Sequence, residues 1–548
     1  MSRVCKLGVL FLLATSTVGC LSPYSSDDPN GPGGDNGDGG TPGTSIGPDG
    51  ARVGTRALRR LTPAEYDNSV RDVFALPASW SGAGLGPDAS NTLNFDNDAS
   101  LLTVDDARAQ DLEAAAEKIA DLVVASGLNS LGACAPVSRA CAVAVVDKFA
   151  PRLFRRAVTD ADKKPYLDSY DAVAAMATPA DGLKWTLVAL LDSPNFLYRF
   201  ELGTPGDNGT FNLTGEELAS ALAYTFSASP PSDALLEQGR SGALATADQR
   251  LAVAKQLLDS PRGHEVMDAF MRRWLRYDEV RSLVKDDAVV PGFAALRTDM
   301  AEETRRFLEH IVFESQGGVN QLFSSSETFV SAALAQHYGL PAPAQPFALT
   351  QRPPEQSLGV LAQGSILSRF ALTHTSSPPQ RGAFVRRRFL CQDLPAPPPN
   401  VGQPPVPQPG LTTRELFEQV HTQQAGCASC HNTIDPIGFG LEAFDTAGRW
   451  RTTENGKPIR ADGKIINFGS QPDATFADGK GLAQVLAQSP DVAKCVGSLM
   501  SAYAFGTVDG RVFAAPAQTT AIAGGQLALH EFFAQLAAAP NFSVRAEK

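Results

Sequence analysis

The chain has 548 residues, 43% of them hydrophobic and 19% charged, with 47 Lys and Arg against 59 Asp and Glu. These values belong to a globular protein long enough for several domains. The net charge of −12 argues against nucleic acid as a partner and against broad adhesion to anionic membranes.

The chain opens on a basic pair, Arg3 and Lys6, an apolar run, Leu7 to Ala14, and then Thr17-Val18-Gly19-Cys20. Small residues ahead of a cysteine resemble a bacterial lipoprotein signal over 1–19, cleaved before Cys20, which then carries lipid and anchors the chain to a membrane. The alternative is an ordinary secretory signal, which gives export without an anchor. The run is too short to span a bilayer. Leu21, in place of an aspartate, resembles an outer-membrane sorting context. Residues 20–52 are Gly, Pro, Asp, Asn and Ser with almost no apolar side chains. Such a stretch buries too little surface to order itself and reads as a flexible tether.

Beyond the tether the predicted elements are mainly α-helical. Leu61-Thr62-Pro63-Ala64-Glu65 reads as a capping box with proline at the first helical position. The same start recurs at Leu213-Thr214-Gly215-Glu216-Glu217 and Leu411-Thr412-Thr413-Arg414-Glu415. Apolar residues three or four apart predict further helices at Val104–Val124, Cys141–Val158, Gly182–Phe200, Asp248–Leu258, Glu265–Leu275 and Ala294–Phe313. Near the end the pattern repeats over Gly481–Leu486, Asp491–Phe505 and Ala521–Leu536. Trp450–Asn467 is the one predicted β element, a small hairpin with turns at Asn455-Gly456 and Asp462-Gly463. The expected organisation is helical domains over 53–140, 141–205 and 210–340, a segment over 355–468, and a closing helical domain over 470–548. Eight prolines between Pro395 and Pro409 make 394–410 an extended polyproline arm.

The 355–468 segment contains Cys427-Ala428-Ser429-Cys430-His431. Two cysteines two residues apart followed directly by histidine form the attachment pattern of c-type haem. Each thiol adds across one vinyl group as a thioether, and the histidine is then held under the iron. With 8 Cys and 7 His in the chain, such a string arises by chance about 0.0015 times. A small disulfide or half of a zinc site are the alternatives, and zinc would need a second ligand pair at matching spacing. One covalent haem c is therefore the expected cofactor, with Cys427, Cys430 and His431 holding it and His431 on the metal. Covalent haem attachment in bacteria takes place outside the cytoplasmic membrane, so the export signal and this motif agree.

The His431 ring needs an acceptor on its other nitrogen, and a backbone carbonyl near Asp435-Pro436 is well placed to supply it. For the opposite face of the iron, Met500 is the only methionine after the motif, and His374 is an alternative in a Ser/Thr/Pro loop before it. His421 is too near in sequence to reach that face, and an open site is the remaining possibility. Arg449, with Trp450 and Arg451, is a candidate to meet haem propionates. Phe439, Leu441 and Phe444 suit the wall of such a pocket or an ordinary core. Four further cysteines, Cys134, Cys141, Cys391 and Cys495, are an even number for an oxidising compartment. Cys134 with Cys141, and Cys391 with Cys495, are the expected disulfides, four buried thiols the alternative. His264, His310, His337 and His530 lack ligand spacing and read as structural or surface residues.

These segments, in this order, resemble a family of large exported proteins common in planctomycetes and myxobacteria, whose domains are of unknown function. The resemblance rests on Arg59-Arg60-Leu61-Thr62-Pro63-Ala64-Glu65-Tyr66, Phe149 to Arg156, Leu191 to Arg199, and Leu213 to Leu218. It rests further on Gln380-Arg381-Gly382, Phe389-Leu390-Cys391, Cys427 through Arg449, and Phe476 to Phe505. It covers the chain from about Arg56 onward and implies a cytochrome-c-like haem segment, but no established reaction. The stretch after Leu372-Thr373 is shorter than is usual in the family, at the position of His374. Three readings follow. The first is a lipid-anchored monohaem protein that moves electrons to an unknown redox partner. The second is a haem peroxidase or oxidase with an open distal site. The third is a surface scaffold or binding protein in which the motif is only a staple.

Overall fold

The computed structural model describes residues 54–547 apart from 57, 78, 127, 129–133, 135, 395–404, 422–427, 508–515 and 526. The signal, Cys20, the tether, most of the proline arm and Cys427 lie outside the described residues. The fold is mainly α, with small sheets between helical layers.

The N-terminal layer is built from the helices Pro63–Phe74, Asp106–Ala125, Arg139–Phe154, Asp160–Met176 and Pro179–Leu191. The first begins as expected: the Thr62 side chain accepts from Glu65 N, and the Glu65 carboxylate accepts from Thr62 N. Leu112, Ile119, Val145, Phe149, Leu183 and Leu187 form its core. The disulfide Cys134–Cys141 closes the loop entering Arg139–Phe154. That helix stops at Arg155, which takes the left-handed conformation at φ 57. The Arg155 guanidinium then donates to the carbonyls of Asn195, Phe196 and Tyr198 at 2.6–3.0 Å, so this arginine joins two helical hairpins.

Two predicted helices are broken. Gly182–Phe200 is a helix to Leu191, a single turn at Pro194–Leu197, and a strand at Tyr198–Phe200. Pro194 lacks the N–H that would continue the helix. Ala521–Leu536 is likewise two helices, Pro516–Ala523 and Leu529–Gln535, parted near Gly524-Gly525. The strand at Tyr198–Phe200 pairs antiparallel with Leu58–Arg60. A four-stranded sheet in the order Gly54–Thr55, Val544–Ala546, Thr210–Asn212, Thr204–Pro205 fastens the start of the described chain to its end.

The largest core runs without interruption from the middle of the chain to its C-terminal helices. Phe226 meets Phe533 edge-on at 5.5 Å, and Trp274 meets Phe389 edge-on at 5.5 Å. Trp274 Nε1 donates to the Arg388 carbonyl at 2.9 Å. Cys391–Cys495 links the end of helix Pro378–Phe389 to helix Pro490–Phe505. Both expected disulfides are present. Among the described residues no helix is long and apolar enough to cross a membrane.

Candidate functional site

The helix Ala428–Phe439 carries the second half of the CxxCH motif. Cys430 sits in its first turn, with His431 next to it. The helix lies unusually close to the helix Pro378–Phe389, and glycines on both explain why. A Cβ on Gly382 would stand 1.8 Å from the Ile434 carbonyl oxygen, and one on Gly438 would stand 2.0 Å from that of Pro378. Only glycine permits backbones this near. The neighbouring helix also bonds the backbone of this one: Arg386 Nε donates to the Thr433 carbonyl at 2.8 Å.

A buried ionic lock holds the turn that follows. Arg381 is 1% exposed and donates to the carbonyls of Leu441, Phe444 and Asp445 at 2.7–2.8 Å. Glu442, also 1% exposed, lies 3.7 Å from Arg381, accepts from Ser376 Oγ at 2.9 Å and pairs with Arg451 at 3.3 Å. These contacts set the helix direction and so the direction of His431.

His431 Nδ1 lies 2.9 Å from both carboxylate oxygens of Asp435, one helical turn on. The expectation of a backbone acceptor near Asp435-Pro436 is corrected here: the right residue orients the ring, but through its side chain. A carboxylate accepts, so the Nδ1 carries its proton toward Asp435. Asp435 is 2% exposed. Burial raises its pKa above the ordinary carboxylate value, and His431 opposes that rise. The ring of Phe417 lies nearly parallel to His431, with centroids 6.4 Å apart. Phe439 is buried on the same helix under the Arg414 guanidinium, 4.5 Å from its centroid.

The other candidate residues are placed as follows. His374 Nδ1 lies 3.2 Å from Thr373 Oγ1, while its Nε2 is buried with no hydrogen-bond partner. Its loop is fastened to the motif segment by Thr446 Oγ1 to the Leu372 carbonyl at 2.6 Å and by Thr375 to Thr413 at 2.7 Å. Met500 is fully buried in the main core, on a helix that shares Pro378–Phe389 as a neighbour with the motif helix. Arg449 donates to Asp445 Oδ2 at 2.6 Å and to the Val289 carbonyl at 3.0 Å. Trp450 packs edge-on against Phe444 at 5.1 Å. Three of the unassigned histidines pair with carboxylates: His264 with Glu309, His310 with Glu314 and Glu327, and His530 with Asp259. His337 donates to the Ala447 carbonyl at 2.9 Å.

Two side chains beside the motif make contacts not expected from the sequence. Asp435 stands at i+4 from His431, a spacing that signals contact on a helix. Lys285 is 6% exposed, and its ammonium donates to the carbonyls of Ser368, Ala371 and Leu372 at 2.8–3.3 Å, bracing the loop that leads to His374. Burial, then the charge of Arg381, lower its pKa to about 7. No local pattern announces that contact, which spans more than 80 positions.

Comparison with known families matches four consecutive segments. Residues 59–125 match PSD3, protein of unknown function (DUF1587), and 141–201 match PSD5, protein of unknown function (DUF1595). Residues 213–340 match PSD4, protein of unknown function (DUF1592), and 357–454 match PSCyt3, protein of unknown function (DUF1588). Four stretches of the chain are thus similar to separate domains of unknown function. No curated protein and no solved structure matches it.

Proposed function

We propose that this assembly of four family domains is an exported, lipid-anchored c-type haem protein that moves electrons between unidentified partners. The observation that carries the reading is the pairing of His431 Nδ1 with the buried Asp435 carboxylate, directly behind Cys430. That pairing fits the donor set haem c requires: two thiols at fixed spacing and an imidazole oriented through its Nδ1. Cys427 and Cys430 would form the thioethers, and His431 the proximal bond. When bound, the haem supplies a one-electron iron couple. Phe439 and Phe417 lie beside the helix that would hold it, and Cys20 would tether the whole to the membrane. The two disulfides accord with an oxidising compartment.

For the distal side, the buried and unpartnered Nε2 of His374 favours that residue over Met500, which is packed in the core. A second reading, peroxidase- or oxidase-type chemistry, is favoured by the same Asp435–His431 pair. A carboxylate behind the proximal imidazole makes it a stronger electron donor. The deciding experiment is haem staining on a denaturing gel, with the chain expressed alongside its export and ligation machinery. A coloured band at full length is expected, and a colourless one ends the redox reading. Carbon monoxide added to the reduced protein then separates a filled distal site from an open one.

Asp435→Asn replaces a charge-assisted hydrogen bond with a neutral one. The expected change is roughly 1 kcal/mol, on the order of 40 mV upward in midpoint potential, read by spectroelectrochemical titration. An unmoved potential would show that the carboxylate does not act on the iron.

A further inference from the structure

The Arg59-Arg60 pair near the start of the folded body has no part in the haem reading, yet its two members have opposite fates. Neighbours on a strand face opposite sides. Arg60 turns to Asp88 at 2.5 Å and to the Leu61 carbonyl at 2.7 Å. Arg59 is only 7% exposed, and among the described residues its side chain makes no hydrogen bond. Its Nε is buried without an acceptor, and its ion pair with Glu65 is 4.0 Å long. Glu65 is already engaged, accepting from Thr62 N at 2.8 Å and from Arg199 at 3.2 Å. A buried guanidinium left this way is costly unless something else pairs with it.

Arg59 lines a cleft of about 560 Å³ where the Pro63–Phe74, Pro261–Leu275 and Pro490–Phe505 helices meet. That volume and that position at a junction of segments are usual for a small-molecule site. The other arginines of the cleft are paired: Arg262 with Glu265 at 3.0 Å, Arg272 with Asp268 at 3.0 Å, and Arg273 with Asp96. Arg59 is therefore the most weakly paired of the four. Asn97 also lines the cleft. Its Nδ2 donates to the Tyr503 carbonyl at 2.7 Å, but its Oδ1 is buried with no donor. Gly506 holds these two residues together: a Cβ there would lie 2.9 Å from Arg59 Cζ and 2.4 Å from the Asn97 carbonyl oxygen.

We propose that this cleft binds a small hydroxylated carboxylate of the sugar-acid type, with Arg59 taking the carboxylate and Asn97 Oδ1 accepting from a hydroxyl. One unmatched positive charge suits one negative charge. A phosphate dianion would carry a second charge past the carboxylates of Glu65, Asp96 and Glu265, which share the lining. The planar guanidinium fork suits a carboxylate, which it meets with two parallel bonds.

The test is calorimetric titration of the exported full-length chain with sodium galacturonate, galactose, sodium acetate and inorganic phosphate. It does not read the haem, so its outcome is independent of the cofactor. Galacturonate should bind at least tenfold more tightly than each of the other three, and Arg59→Gln should weaken it at least tenfold. Circular dichroism checks that the variant folds. If it does not, the decision passes to the wild-type chain, whose melting temperature galacturonate should raise more than galactose does. Equal binding of galactose, acetate or phosphate overturns the proposal. So does a folded Arg59→Gln chain with unchanged affinity, or a melting temperature that galacturonate leaves where galactose does.

Discussion

Changing both motif cysteines, Cys427→Ser with Cys430→Ser, is expected to abolish covalent haem while leaving the chain folded. Thioethers form only through sulfur, so no band should stain after denaturation, and the single change Cys430→Ser should leave a weaker one. The fold should persist because the motif helix is held by contacts that do not involve these sulfurs. Arg381 grips the carbonyls of the following turn, Arg386 grips Thr433, and Gly382 and Gly438 keep two helices in backbone contact. The measurements are in-gel haem staining and far-ultraviolet circular dichroism on the same samples. A variant that still stains places the cofactor elsewhere. A variant that is colourless and unfolded makes the cofactor a structural requirement, as in the staple reading.

Removing the long disulfide, with Cys391→Ser and Cys495→Ser, should cost far more stability than removing the short one. The long bridge joins positions 104 apart and encloses the entire CxxCH motif, whereas Cys134–Cys141 joins positions 7 apart. In the chain-entropy treatment these closures contribute about 4.7 and about 2.5 kcal/mol. Against a typical domain stability of about 5–15 kcal/mol, the first is a large fraction. Urea unfolding of the two double variants should place the Cys391/Cys495 midpoint clearly below that of Cys134/Cys141. Equal losses would mean that the segment between 391 and 495 is already restrained in the unfolded chain. The larger loss should also loosen the haem segment itself, because the Trp274–Phe389 contact stands beside the bridge.

Helix starts were legible because they depend on residues three apart. The capping boxes predicted at Thr62, Thr214 and Thr412 are all formed, each with its glutamate three residues on. The hairpin turn at Asn455-Gly456 was legible for the same reason, but the second expected turn, Asp462-Gly463, is not one: Gly463 opens the strand Gly463–Ile465, which pairs with Ala474–Phe476 beyond the expected Trp450–Asn467 hairpin. Short strands that pair across long stretches of chain were not legible. Gly54–Thr55 and Val544–Ala546 show no alternation, and they become strands only because almost 500 positions of folded chain bring them side by side.

The division between sequence and tertiary structure follows the range of the interactions. Capping and the CxxCH spacing act over a few bonds, so the order of residues alone determines them, whereas the Cys391–Cys495 bridge needs the fold to bring together positions 104 apart. Asp435 lies between the two cases. Its position four after His431 is local, but it is the packing of helix Pro378–Phe389 and its neighbours that excludes water and turns its side chain, rather than a backbone carbonyl, to the ring. The solitude of Arg59 is wholly tertiary. Whether a guanidinium has a partner depends on which distant carboxylates folding brings near it, and here folding gave Glu65 to Arg199 and Asp96 to Arg273.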